Sequence, residues 1–318
     1  MESNWKSRKV VVVGAGAVGS TFAYALAQKG LAEEIDLIDK SRDFAEAQAL
    51  DLAHGLPFYP SVQIRVGQKQ DYADAQVIVI TAGAKQGPGE TRLALLQRNT
   101  SIIESIVDEI VSQKSQAVIV VASNPVDILT YAALKRSGWS KGRVIGSGTV
   151  LDSSRFRYLL SQHCGVDVGN VHAYFLGEHG DSEFPAWSMT HIAGVSIDDY
   201  CPMCNKCNNW QLERNRIVKE VKESAYHIIN YKGATYFAIG MALVRIVGTI
   251  LQDQRSVLPV STLLEGEYGL RNVCLGVPCV VGQGGVREIV QAPLLPVEME
   301  SLMKSASILQ TAIKELTG

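Results

Sequence analysis

A five-residue apolar run, Lys9 to Val13, passes directly into Gly14-Ala15-Gly16-Ala17-Val18-Gly19 and then into a stretch with helically spaced apolar residues. Few folds accept that junction. Gly14 permits a tight turn, Gly16 lets the backbone approach a pyrophosphate, and Gly19 allows a helix to pack closely on a strand, while the helix N-terminus favours an anion. Asp39 stands twenty residues beyond Gly19, at the end of a second apolar run, Asp36-Leu37-Ile38. A carboxylate there binds a ribose 2′-OH and repels the extra phosphate of NADP, so the spacing predicts an NAD site. The competing reading of Asp39 is a cap for a helix beginning near Arg42.

Further β-branched runs at Val77 to Thr81, Ala117 to Val121 and Val144 to Ile145 read as buried parallel strands. Helix-like stretches, Ser20 to Lys29, Arg42 to Ala53 and Leu93 to Ser112, alternate with them. This predicts an α/β fold, a Rossmann-type doubly wound parallel sheet, over residues 1–148. Past Gly146-Ser147-Gly148 the pattern changes to an α+β substrate-binding and catalytic domain over 149–318. There a helix is expected near Asp152 to His163, strands at Val171 to Leu176 and Ala186 to Ile192, and long helices at Trp210 to Tyr231 and Thr235 to Gln252. Strands near Val257 to Leu264 and Val273 to Val281 and a final helix from about Val297 complete the pattern.

Thirty Lys and Arg balance 32 Asp and Glu, and no basic run is long enough to follow a phosphate backbone, which argues against nucleic acid. The opening segment holds no apolar stretch of signal-peptide or membrane-span length, so a cytoplasmic protein without a membrane partner is expected. Six Cys in such a chain read as reduced thiols.

His179 lies in Gly177-Glu178-His179-Gly180-Asp181, a glycine-bounded loop after a strand, where an imidazole can give and take a proton near neutrality. Asp152 and Arg155 are three apart at the start of a helix and so share a face. There the Arg can hold a carboxylate with two parallel hydrogen bonds while the Asp orients an imidazole, or the two simply pair with each other. Lys85-Gln86-Gly87-Pro88-Gly89-Glu90-Thr91-Arg92 has the composition of a hinged lid that carries Arg92, or of an exposed turn.

Taken together, these residues resemble the L-lactate and malate dehydrogenase family along nearly the whole chain. The resemblance is carried in order by the glycine motif, Thr81-Ala82-Gly83-Ala84, Pro88-Gly89-Glu90-Thr91-Arg92, Asn124-Pro125-Val126-Asp127, Leu151-Asp152-Ser153-Ser154-Arg155, Gly177-Glu178-His179-Gly180-Asp181 and Lys232-Gly233-Ala234-Thr235. It implies that His179 is the proton donor and acceptor, Asp152 its partner, Arg155 the substrate-carboxylate clamp and Arg92 the carbonyl-polarising lid residue. It also implies that Asn124 bonds the substrate oxygen, that Thr235 lines the substrate pocket, and that Ile239 walls the nicotinamide. Val18, Gly83, Ala84, Ser105, Ala122, Asn124 and Ser147 are implied along NAD, beside Gly14, Gly16, Gly19 and Asp39. Gln86 matches the family's specificity position, where malate enzymes usually carry Arg. A neutral amide leaves the second carboxylate of oxaloacetate unpaired, which favours pyruvate and L-lactate over malate. The alternatives are a malate or other 2-hydroxy acid dehydrogenase of the family, or a catalytically idle NAD-binding sensor.

Arg157 lies about 200° around the helix from Arg155 and should point away from the substrate. Arg157 and His172 match the pair that binds fructose 1,6-bisphosphate between subunits in many bacterial lactate dehydrogenases, so the resemblance implies an activator site and, by analogy, a homotetramer. Two departures stand out. Gly87 replaces a frequent Lys in the lid, and Cys201, Cys204 and Cys207 repeat at every third position, read as an oxidisable surface loop with no metal site. Cys164, Cys274 and Cys279 are expected to be packing residues.

Overall fold

The computed structural model describes residues 7–85, 87, 89–204 and 209–317. Along the chain run β1 (Lys9–Val13), α1 (Ala17–Lys29), β2 (Glu34–Ile38), α2 (Arg42–His54), β3 (Gln63–Val66), β4 (Val77–Ile80), α3 (Arg92–Ser112), β5 (Val118–Val121), α4 (Val126–Ser137) and β6 (Val144–Gly146). Next come α5 (Val150–Cys164), β7 (Val171–His172), β8 (Phe175–Leu176), β9 (Phe184–Pro185), β10 (His191–Ile192), β11 (Val195–Ser196) and α6 (Ile197–Cys204). The remainder is α7 (Trp210–Lys232), α8 (Phe237–Leu251), β12 (Ser256–Glu265), β13 (Arg271–Gly282), β14 (Gly285–Ile289) and α9 (Pro296–Thr317). The chain divides into two compact units, the first made of Met1–Ser147, Tyr236–Ser256 and Val280–Glu288, the second of Gly148–Thr235, Val257–Cys279 and Ile289–Gly318.

In the first unit six parallel strands follow the order β3-β2-β1-β4-β5-β6, the doubly wound arrangement expected from the alternating pattern. Every residue of β1, β4 and β5 is buried, as strands covered on both faces require. The late helix α8 packs on α1, so closely at Gly240 that an added Cβ would stand 3.0 Å from Thr21 Cγ2. Beneath the sheet edge, Glu34, Asp36 and Asp71 converge on two cations rather than on one another. Lys9 Nζ lies 3.2 Å from Asp36 and 3.0 Å from Asp71, and Arg65 bonds Glu34 and Asp71. Burial still pushes the Asp36 carboxyl up to about 6, against the pull of Lys9 and Arg65.

The second unit is built on α5. Phe156, Leu160, Phe175, Ile192, Ile217 and Val221 form its core, with Trp187 and Trp210 closing one side. Two expectations are corrected here. Val171 to Leu176 is two short strands rather than one, because β7 pairs with β10 while β8 pairs with β9. Ala186 to Ile192 is a 3-10 turn at Trp187–Met189 ahead of the short β10, since Ser188 is captured by Glu298, which accepts from its backbone N at 3.0 Å and its hydroxyl at 2.6 Å. No helix of the described residues is long and apolar enough to cross a membrane.

Candidate active site

In the first unit, a cavity of about 930 Å³ opens at the carboxyl ends of β1, β2 and β4, with Gly14, Gly16, Asp39, Gly83, Ala84 and Ser105 in its wall. The three motif glycines divide the work. A Cβ on Gly14, whose φ is 101°, would sit 2.6 Å from Ala82 N, and one on Gly19 would sit 1.9 Å from the Gly14 carbonyl oxygen. At Gly16 the same atom would meet nothing within 4 Å, so its space belongs to the cavity. Asp39 accepts from Ala15 N at 2.9 Å and from Ser41 N at 3.0 Å, which aims its carboxylate at the glycine turn. The side-chain cap of α2 is Ser41, bonded by Phe44 N, not Asp39. An α1 N-terminus without a side-chain cap, a Cβ-free approach and a carboxylate after the second strand fit the phosphates and ribose of NAD. Val18, Gly19, Ala122, Asn124 and Ser147 are not part of this wall.

The glycine geometry gives opposite outcomes for two small changes. Gly16→Ala is expected to keep its melting temperature but weaken NADH binding by about 10-fold or more. Gly19→Ala meets a backbone carbonyl and should lose about 1–3 kcal/mol of stability. Thermal melts and fluorescence titrations with NADH check both.

A buried amide ties the neighbouring loops together. Asn99, on the inner stripe of α3, accepts from Ala84 N at 2.8 Å and donates to the carbonyls of Ala84 and Asn124 at 3.4 and 3.3 Å. Residue 124 is thereby held beside the cofactor loop, with its side chain exposed. Glu90 is clasped by Arg98 at 2.7 Å and by Gly87 N at 2.8 Å. The backbone hydrogen bond from Gly87, with Arg98, holds its carboxyl below the ordinary range. Arg92 begins α3 as an exposed residue after the capping Thr91. Gln86 lies outside the described residues.

In the second unit, the first turn of α5 presents Asp152, whose side chain is 1% exposed. Asp152 Oδ2 stands 2.7 Å from His179 Nδ1, and Oδ1 accepts from Arg155 Nη1, also at 2.7 Å. The ion pair with Arg155 and the contact between Asp152 and an imidazole therefore coexist. Burial opposes ionisation of Asp152, but the facing His179 and Arg155 hold its carboxyl below the usual value. The His179 loop is pinned at both ends. Gly177 and Gly276 exchange backbone hydrogen bonds at 2.9 Å, and Lys222 Nζ donates to the Asp181 carbonyl at 2.9 Å. Ser153 Oγ accepts from Phe175 N at 2.9 Å, and Thr149 Oγ1 donates to Phe175 O at 2.6 Å, locking α5 to the strand that enters this loop. Thr235 follows the α7 C-terminus, where Gly233 takes φ 82°. An ionised carboxylate only accepts, so Nδ1 of His179 carries hydrogen towards Asp152.

Sequence reasoning missed Asn99 and Glu183. Asn99 had a signal, a polar residue at the buried spacing of Leu96, Ile103 and Val107. Glu183, 4% exposed, looks from sequence like any loop carboxylate, yet an oxygen of it lies within 4.8 Å of an Asp152 oxygen and a His179 nitrogen. Burial, and then the charge of Asp152, push its carboxyl far above the ordinary range. The cysteine expectation also needs correction. Cys201 is not on a surface loop but buried in α6, 3.5 Å from His163 Nε2, while Cys207 lies outside the described residues. Cys164, Cys274 and Cys279 are buried. Arg157 Nη2 donates to the Val168 carbonyl at 3.2 Å, and His172 is exposed on β7.

The chain belongs to the lactate/malate dehydrogenase family: residues 8–146 match its NAD binding domain and residues 149–318 its alpha/beta C-terminal domain. Its cofactor is NAD. Among relatives, an L-lactate dehydrogenase of Treponema denticola is 57% identical over 311 residues, 98% of this chain and 99% of that protein. One from Acetivibrio thermocellus is 50% identical over 316 residues, 99% of each. A solved minor L-lactate dehydrogenase of Enterococcus mundtii, in a ligands-bound form, superposes with a TM-score of 0.94 at 42% identity, covering 98% of each chain.

Proposed function

We propose that this chain catalyses the reversible interconversion of pyruvate and L-lactate with NADH and NAD. The observation that carries the reading is the buried Asp152 carboxylate bonded at once to His179 Nδ1 and Arg155 Nη1. NADH, when bound, supplies the hydride for the carbonyl carbon. His179 Nε2 gives its proton to the carbonyl oxygen as that oxygen gains charge, and takes it back in lactate oxidation. Asp152 fixes the tautomer and stabilises the imidazolium, as the acid of a catalytic triad does. Arg155 holds the substrate carboxylate with its planar fork, and Arg92 polarises the carbonyl. Asn124 and Thr235 contact substrate, and Gln86 excludes a second carboxylate by leaving it unpaired. Residues 1–148 carry the cofactor-binding function, and 149–318 the substrate-binding one. Val18, Gly19, Ala122, Asn124 and Ser147 flank the cofactor through backbone or close packing.

NADH oxidation measured in parallel with pyruvate, oxaloacetate and a branched 2-oxo acid tests the substrate. Pyruvate is expected to be turned over at least about 100-fold more efficiently than oxaloacetate, the scale of an unpaired buried charge. A preference for oxaloacetate returns the chain to the malate reading.

Regulation is part of the same proposal. Arg157 and His172 follow each other on α5 and β7, both in the second unit, and two such pairs across a two-fold axis make a bisphosphate site in a cytoplasmic homotetramer. Fructose 1,6-bisphosphate should lower the pyruvate concentration needed for half-maximal rate, by the differential binding that any such linkage requires. Pyruvate saturation curves with and without it decide the matter, and superimposable curves reject it.

A further inference from the structure

Among the described residues, Glu183 is a buried acid beside the proton-transfer pair that the reaction above does not use. Its side chain enters from the segment linking His179 to β9, opposite the α5 turn that presents Asp152. Asp152 and Glu183 are 1% and 4% exposed. Glu183 Oε2 is buried and receives no hydrogen bond from any donor, so nothing in its surroundings solvates a negative charge there. The charged groups that act on it are Asp152 first, then Arg155 from α5 and Lys222 from α7, with His179 at the margin of the cluster. Both cations are already committed, Arg155 to Asp152 and Lys222 to the Asp181 carbonyl. Two carboxylates this close in a dry site share a proton, as facing acid pairs do. Asp152 holds its charge because it faces the imidazole and the guanidinium, which leaves the proton on Glu183.

We propose that Glu183 is a positioning residue for the proton-transfer pair, kept as the neutral acid so that its O–H donates to the Asp152 carboxylate. With oxygens of the two side chains within 4.8 Å of each other, that hydrogen bond would give Asp152 a third partner beside His179 and Arg155. It fixes the carboxylate plane and, by drawing off part of its charge, weakens the grip of Asp152 on the imidazolium. The consequence lies in the ease with which His179 releases its proton. The inference rests on the proposed role of His179 but is read out separately from it.

The test is the titration of His179 in the enzyme without substrate, followed by NMR of 13C-labelled histidine and assigned with His179→Gln. Glu183→Gln replaces the acid O–H with an amide N–H donor and should leave the His179 midpoint within about 0.3 unit of the parent. Glu183→Met fills similar volume without a donor and should raise the midpoint by about half a unit or more, since Asp152 then binds the imidazolium more strongly. Infrared spectra at about pH 8 should show an un-ionised carboxyl band that Glu183→Gln removes, far above the ordinary ionisation of an exposed Glu. A midpoint that falls in Glu183→Gln overturns the proposal, because it means that a charge was removed. So does a midpoint that stays or falls in Glu183→Met, or a parent spectrum without the band. Failure of His179 as the proton donor would appear instead as retained turnover in His179→Gln, with the Glu183 results unchanged.

Discussion

Turnover of pyruvate by His179→Gln is expected to fall by about 100-fold or more, the lower end of what a positioned general acid contributes. Glutamine keeps a donor of similar reach for Asp152 Oδ2, now 2.7 Å from the imidazole, so the loop pinned by Gly177 and Lys222 has no reason to move. What disappears is a group able to release a proton near neutral pH. NADH binding should be unchanged, because the wall of the cofactor cavity is drawn from residues 13–109. Steady-state kinetics with an NADH titration on the same preparation separates the two. Turnover within a few-fold of the parent removes His179 from its role.

Arg155→Leu should cost even more at low substrate. A carboxylate held by two charge-assisted hydrogen bonds of about 1.5–3 kcal/mol each loses roughly 10²- to 10⁴-fold in kcat/KM when the fork is removed. Arg155 is also the second partner of Asp152, at 2.7 Å, so part of the loss in Leu belongs to an uncompensated buried charge. Arg155→Lys keeps the charge while discarding the planar fork, and should recover stability but only a fraction of the efficiency. Equal losses in Leu and Lys point to the fork, and full recovery in Lys points to charge alone. Thermal melts beside pyruvate saturation curves make the comparison.

Much of the first unit was legible because its strands are buried on both faces and therefore read as unbroken apolar runs. Among its six parallel strands the exception is β3, Gln-Ile-Arg-Val, which escaped notice. It lies at the end of the sheet order, pairs only with β2 within its unit, and turns Gln63 to solvent, so no continuous run marks it. In the second unit the misread strands share a different cause. Val171 to Leu176 is β-branched and aromatic enough for one strand, but its two ends pair with partners set by chain far away. Trp187–Met189 curls because Glu298, over a hundred residues later, takes both donors of Ser188.

The chemical residues sort along the same line. Asp152 and Arg155 share a helix face by local spacing, and the role given to His179 comes from the family resemblance. Glu183 could not be named, since a loop carboxylate is ordinarily solvated and only the folded structure shows it buried beside Asp152 and His179. Asn99 lies between these cases. Its place on an apolar stripe was visible, whereas its partners, Ala84 and Asn124, belong to two separate loops.

The role of His179 is tested most directly by the pH dependence of the reaction in both directions. Pyruvate reduction needs the imidazolium and lactate oxidation the neutral ring, so kcat/KM for pyruvate should fall, and kcat/KM for lactate should rise, as pH increases through the ionisation of one group. Both limbs should vanish in His179→Gln. Limbs that run in the same direction, or that persist without the imidazole, would contradict proton transfer through His179.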